Sequence, residues 1–293
     1  MVTVQNGRLI SGMSEGNFLV MQSDFGYTDG AVAAMTGVAL TIDGSLRIFD
    51  ATHDIEPYNI WEASYRLFQT IGFWRKGTVF LSVVDPGVGS VRRSIAAKTS
   101  GGSYVITPDN GTLTHIGKYI GIEELREIDE SEYLSETARH SYTFCGRDLY
   151  VNVAAKLASG IITFEETGKA VPVDSIVKLT VGEVTRESGS IKGHIDILDA
   201  RFGSIWTDIT REDFLTLEVG YGEYIEIVIR NANTLIYSNR AAYGRSFADV
   251  NIGEQIVYVN SLMRMALAIN QGNFARAYSI GVGLQWTIEF KKI

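Results

Sequence analysis

Residues 78–89 read Thr-Val-Phe-Leu-Ser-Val-Val-Asp-Pro-Gly-Val-Gly. The run 78–84 is apolar almost throughout and stops at Asp85-Pro86-Gly87. A strand with one wet face alternates apolar and polar side chains, so this continuous run predicts a strand covered on both faces. Shorter apolar runs at 17–22, 46–50 and 104–107 predict three more strands, and 30–42, 59–74 and 147–158 read as helices between or after them. In 59–74 the residues Ile60, Ala63, Ser64, Leu67, Phe68 and Ile71 fall at helical spacing. Strand and helix in alternation predict an α/β domain with a largely parallel sheet. Near residue 175 the pattern changes: 176–184, 191–199, 203–209, 224–231, 233–238, 254–260 and 284–290 read as strands joined by short turns, with one helical run at 262–270. The expected organisation is an N-terminal α/β domain over 1–175 and an all-β, barrel-like C-terminal domain over 176–293.

Composition narrows the function. The 293 residues are 45% hydrophobic, enough to bury a core, which excludes a disordered chain. With 26 Lys and Arg against 34 Asp and Glu the net charge is −8. That balance argues against a nucleic acid as partner, since such proteins offer phosphates a basic surface. The first residues show no basic start followed by a long apolar run, and no apolar stretch is long enough to span a membrane. The expectation is a cytoplasmic protein without a membrane partner. Cys145 is the single cysteine, so neither an internal disulfide nor a cysteine-rich metal site is expected. The histidines, His53, His115, His140 and His194, show no metal-ligand spacing, and no metal is expected.

The strand ends carry acids. The first strand runs into Ser23-Asp24-Phe25-Gly26, the second into Asp50 and His53-Asp54, the third into Asp85-Pro86-Gly87, and the fourth into Pro108-Asp109-Asn110-Gly111. In a parallel sheet these ends share one edge, the edge where open α/β sheets bind ligands. Each piece alone is also an ordinary turn or cap: Asp24 could cap the following helix, and Asp109 could accept from a ribose or merely close its turn. Gly87-Val88-Gly89 lacks the third glycine of a dinucleotide fingerprint, and no Gly-Lys-Ser/Thr occurs. Asp85 and Arg92 lie seven residues apart across a glycine turn; the Arg could pair with the Asp or hold a small anion or water, against the bland reading of a surface salt bridge, with Arg93 expected in solvent. Cys145 precedes a helix near arginines, a setting for a lowered thiol pKa, against the bland reading of an inert buried cysteine. Tyr58 is the best candidate to stack on a base.

Taken in order, the motifs Ser-Asp-Phe-Gly-x-x-Asp, Asp-Ala-Thr-His-Asp-Ile, Val-Val-Asp-Pro-Gly-Val-Gly-x-x-Arg-Arg, Thr-Pro-Asp-Asn-Gly, Thr-Phe-x-Gly-Arg-Asp and Phe-Gly-x-x-x-Thr-x-Ile resemble those of the S-adenosyl-L-methionine (SAM) hydrolases that form adenosine. These are also called SAM hydroxide adenosyltransferases and are relatives of the bacterial fluorinase and chlorinase. The resemblance runs from about residue 18 to the C-terminus. It implies a homotrimer whose SAM site lies between one subunit's first domain and its neighbour's second. It implies SAM as substrate, adenosine as a bound product, and no cofactor. On the matching positions, Asp85, Arg92 and Cys145 would surround the attacking water. Asp24 would hold the ribose hydroxyls, with Tyr58 near sugar and base. Asp199, Phe202, Ser204, Asp208 and Ser261 would line the methionine side. Four positions depart from the family pattern: Cys145 replaces a His, Ser204 and Asp208 replace asparagines, and Met263 stands where a Gly is expected. Retained Asp85 and Arg92 make water the expected nucleophile. A transferase using halide or another nucleophile and a low-turnover adenosine-binding trimer are the alternatives.

Overall fold

A computed structural model describes residues 17–136 and 143–293, and His140 lies outside them. The chain divides into two compact units, Met1–Leu179 and Thr180–Ile293.

The N-terminal unit is built on β1 (Phe18–Ser23), β2 (Arg47–Thr52), β3 (Val79–Val83), β4 (Ser94–Thr99), β5 (Tyr104–Pro108), β6 (Ile122–Ile128) and β7 (Gly168–Val171). They lie in the order β2-β1-β3-β5-β4-β6-β7. The pairings β2–β1, β1–β3 and β3–β5 are parallel, and β4, β6 and β7 extend the sheet antiparallel. The fold class expected from sequence is therefore present, with the parallel strands forming one half of a mixed sheet. Helices α1 (Ala31–Ile42) and α2 (Ile60–Ile71) make the crossovers out of β1 and β2, followed by α3 (Thr114–Tyr119), α4 (Glu130–Tyr133) and α5 (Val151–Ala158). Leu19, Met21, Leu81 and Val83 pack against Met35 of α1 and Val153 of α5. Val20 and Phe80 pack on the other face against Leu67 and Ile71 of α2. All five residues of β3 are buried, as the unbroken apolar run requires.

β2 lies on one side of β1 and β3 on the other, so the chain changes direction across the sheet at β1. Such a switch point opens a crevice beyond the carboxyl ends of the strands. The parallel register sets Ser23 beside Val83, which puts Asp24 and Asp85 together at its mouth.

The C-terminal unit holds β8 (Thr185–Glu187), β9 (Ser190–Leu198), β10 (Ile205–Thr210), β11 (Tyr224–Asn231), β12 (Thr234–Tyr243), β13 (Gln255–Val259), β14 (Arg264–Ile269) and β15 (Gly283–Lys292), with short helices α6 (Arg211–Leu215) and α7 (Phe274–Tyr278). The order β10-β14-β13-β12-β11-β15-β9 closes through pairing of β9 with β10, and β8 hangs on β9. Alternate residues point inward: Ile225, Ile227 and Ile229 of β11 meet Ile288 and Phe290 of β15, and Phe214 of α6 and Phe274 of α7 join the same core.

Two expectations for the chain beyond residue 175 fail. Residues 262–270, read as helical from Met, Ala and Leu, contain β14, whose pairing on both sides overrides helix propensity. Residues 176–184, read as a strand, form no ladder. Their backbone is held by side chains instead, with the Val177 N–H donating to Asp109 Oδ1 at 2.8 Å and the Leu179 N–H to Thr114 Oγ1 at 2.9 Å. Among the described residues no helix is long and apolar enough to cross a membrane.

Candidate functional site

At the crevice, Ser23, the last residue of β1, places its Oγ 2.6 Å from His53 Nδ1, and His53 Nε2 lies 3.1 Å from Asp50 Oδ1. The Gly26 N–H donates to the His53 carbonyl at 2.8 Å. The end of β1 is thereby tied to the end of β2. Burial holds the His53 ring below its ordinary pKa, against the raising pull of Asp50. Asp24 emerges from this support, and its Oδ2 accepts from the Tyr58 N–H at 2.9 Å. Tyr58 adopts φ +69°, a conformation that costs a bulky residue energy, and its ring is 72% exposed.

The loop after β3 folds back through Val88 N–H to Asp85 carbonyl (3.2 Å) and Ser90 N–H to Gly87 carbonyl (3.0 Å), with Gly89 at φ +79°. Glycine takes that conformation without a Cβ penalty. The turn brings Arg92 back onto Asp85: Arg92 Nε donates to Asp85 Oδ1 at 2.8 Å, and Nη2 pairs with Oδ2. The side chains are only 6% (Asp85) and 11% (Arg92) exposed, so this is a buried two-pronged pair. Burial is the largest influence and opposes the Arg92 charge, but the Asp85 hydrogen bond together with the nearby Tyr150, Asp85 and Cys145 outweighs it, and the guanidinium pKa is raised.

Cys145 sits beside that guanidinium at the start of a single wide turn, Gly146–Tyr150, which leads into α5. Burial pushes its thiol pKa up; Arg92 pulls the other way and Asp85 and Glu130 add to the rise. Of the two readings of the sequence, an activated thiol and an inert buried cysteine, the direction of this shift favours the second, because desolvation outweighs the nearby cation. Asp24, Tyr58, Asp85 and Cys145 together line a cleft of about 340 Å³, closed on one side by Phe25 and Phe144. Arg92 supports Asp85 from behind the lining.

Arg93 is not the solvated residue the sequence suggested. It binds buried Asp109 through Nε at 3.0 Å and the Ser175 carbonyl through Nη2 at 2.7 Å. Both Asp109 oxygens are engaged within the unit, so Asp109 is a structural clasp for residues 173–179.

In the C-terminal unit, Asp199, Phe202 and Ser204 border a hollow of about 830 Å³. Asp199 Oδ1 accepts from the N–H groups of Arg201 and Phe202, both at 3.0 Å, which leaves the Phe202 ring 71% exposed. A Cβ on Gly203 would lie 2.0 Å from Asn273 Oδ1, so only glycine fits there. Asp208 is placed elsewhere: its Oδ1 accepts from the His194 N–H at 2.7 Å, and its Oδ2 lies 3.1 Å from His194 Nδ1. Ser261 is exposed in the turn joining β13 to β14 and is not among the residues lining the hollow. That turn puts Met263 at φ +58°, the conformation for which a glycine is suited. Residues that sequence reasoning missed are Tyr258, Phe247 and the loop 270–273 on the hollow's other wall. The polar Asn270-Gln271-Gly272-Asn273 stretch was the available signal.

The fold and cleft define a two-unit protein that gathers acidic and aromatic groups at the switch point of an α/β sheet. Residues 19–168 match the SAM hydroxide adenosyltransferase N-terminal domain and residues 193–287 its C-terminal domain, so the chain belongs to this family. It is 34% identical to the (R)-S-adenosyl-L-methionine hydrolase of Methanocaldococcus jannaschii over 74% of this chain and 75% of that protein. It is 29% identical to a fluorinase of Actinopolyspora mzabensis over 91% of this chain and 95% of that one. A crystal structure of an uncharacterized conserved protein from Thermotoga maritima superimposes with a TM-score of 0.84 at 32% identity, covering 94% of this chain and all of that one.

Proposed function

We propose that this protein hydrolyses SAM to adenosine and L-methionine. A water or hydroxide attacks the ribose 5′ carbon in line with the departing sulfur. Methionine leaves readily from a sulfonium, so the work is to place the nucleophile and exclude competing water. The observation that carries the reading is the buried Asp85–Arg92 pair opening on the cleft of Asp24, Tyr58 and Cys145. Asp85 orients the water and takes its proton, while Arg92 holds the Asp85 side chain in place.

Asp24 binds the ribose hydroxyls and Tyr58 stacks near the sugar and base. Asp199, Phe202 and Ser204 serve the rest of the substrate, with Asp208 and Ser261 acting behind or beside them. The reaction so written consumes only SAM and water. The proposed assembly is a homotrimer and the proposed location the cytoplasm.

Relatives named hydrolase and fluorinase both resemble the chain at about this distance, so a halide nucleophile is the second reading. Incubation with SAM, with and without fluoride and chloride, separates the two. Adenosine in every sample supports hydrolysis, and a 5′-halogenated nucleoside supports the alternative.

A further inference from the structure

Asp85 engages only one edge of the Arg92 guanidinium. Nη1, on the other edge, donates to Ser94 Oγ at 3.2 Å. Ser94 is buried at the start of β4, and its Oγ also lies 2.6 Å from Glu130 Oε1 and 3.0 Å from the Tyr150 hydroxyl. A serine has one proton and a carboxylate can only accept, so Ser94 donates to Glu130 and Tyr150 donates to Ser94. The Ser94 oxygen is then fully engaged. The Arg92 guanidinium also lies 5.5 Å from the centre of the Tyr150 ring.

We propose that Glu130, acting through Ser94, is a positioning residue that sets which nucleophile this site accepts. Ser94 occupies the edge of Arg92 that Asp85 leaves open and links it to Glu130, so of these three charged groups two are carboxylates and one a guanidinium, and one negative charge is left over. In adenosyl transfer the nucleophile's electron pair forms the new bond to the 5′ carbon as the carbon–sulfur bond breaks toward methionine. Water then gives up a proton, whereas a halide gives up none. Water that stays neutral until it attacks meets no repulsion at this site, whereas a nucleophile that arrives as an anion, halide or free hydroxide, does. The residual charge also suits a sulfonium substrate. This inference rests on the adenosyl-transfer reading of the cleft.

The effect is limited to a few-fold, because Glu130 is partly in solvent. It borders a second hollow of about 380 Å³ together with Glu127, Asp129 and Lys169. Cys145, the single cysteine, reports the local charge directly. The charged or titratable groups that act on it are Arg92, Asp85, Glu130 and Tyr150.

The test compares alkylation of Cys145 in the whole protein by iodoacetate, an anion, and by neutral iodoacetamide. Glu130→Gln keeps an oxygen for Ser94 and removes the charge. It should raise the iodoacetate-to-iodoacetamide rate ratio about twofold to fivefold, the size of one partly screened charge. Glu127→Gln, which alters a carboxylate paired with Lys169 at 3.3 Å instead, should leave the ratio unchanged. With SAM, Glu130→Gln should lower kcat with KM kept and make hydrolysis more sensitive to added halide. A ratio unmoved by Glu130→Gln, or moved equally by Glu127→Gln, overturns the proposal. A parent protein that never turns over SAM defeats the proposed function instead, and the alkylation ratio still decides this inference.

Discussion

Asp85→Asn removes one charge from the buried pair and changes the shape of the side chain little. Breaking a buried ion pair by removing one partner costs about 3–5 kcal/mol when the other charge is left unsatisfied. Here Asn retains an oxygen for the Arg92 Nε–H, and Ser94 still accepts from Nη1. The expected loss of stability is therefore smaller, about 2 kcal/mol. The catalytic loss should be larger. A carboxylate that positions a nucleophile and accepts its proton is worth about 10²–10⁴ in rate, so kcat for SAM hydrolysis should fall at least about 100-fold. Adenosine affinity should change by less than about threefold, because the contacts proposed for the ribose and base are Asp24 and Tyr58 rather than Asp85. The assays are chromatographic measurement of adenosine formation, calorimetric titration with adenosine, and a thermal melt. A variant that melts as a folded protein yet keeps kcat within about tenfold of wild type would refute the role given to Asp85.

Cys145→His places an ordinary general base where burial now keeps a neutral thiol, and hydrolysis should speed up by about tenfold or more at neutral pH; an unchanged or slower rate in steady-state assays would mean that the missing imidazole does not limit turnover. Met263→Gly relieves a left-handed residue in the β13–β14 turn, and denaturant titration should find it neutral or up to about 1 kcal/mol more stable, whereas Met263→Ile should lose about 1–2 kcal/mol. A destabilised glycine variant would show that the methionine side chain contributes packing that its exposure does not suggest.

What could be read in the sequence follows from how locally each feature is encoded. β3 and its Asp-Pro-Gly ending are visible because a strand covered on both faces needs an unbroken apolar run. β4 is buried except at Lys98, but Ser-Ile-Ala-Ala-Lys-Thr shows no such run, and small alanines carry little strand signal. β14 looks helical for the opposite reason, since Met, Ala and Leu favour helix wherever pairing does not decide. The Asp85–Arg92 pair spans a short turn and could be anticipated from spacing. The Arg93–Asp109 clasp and the Glu130–Ser94 contact join residues far apart in the chain, so no local pattern announces them. Cys145 was located correctly beside the arginine, but its thiol pKa depends on burial, a property of the packed structure.

In the proposed hydrolysis the 5′ oxygen of adenosine comes from solvent. Purified protein incubated with SAM in heavy-oxygen water should yield adenosine carrying the heavy isotope at its 5′ hydroxyl and methionine carrying none. Adenosine without the isotope, a nucleoside bearing some other group at that carbon, or no product at any SAM concentration would contradict it.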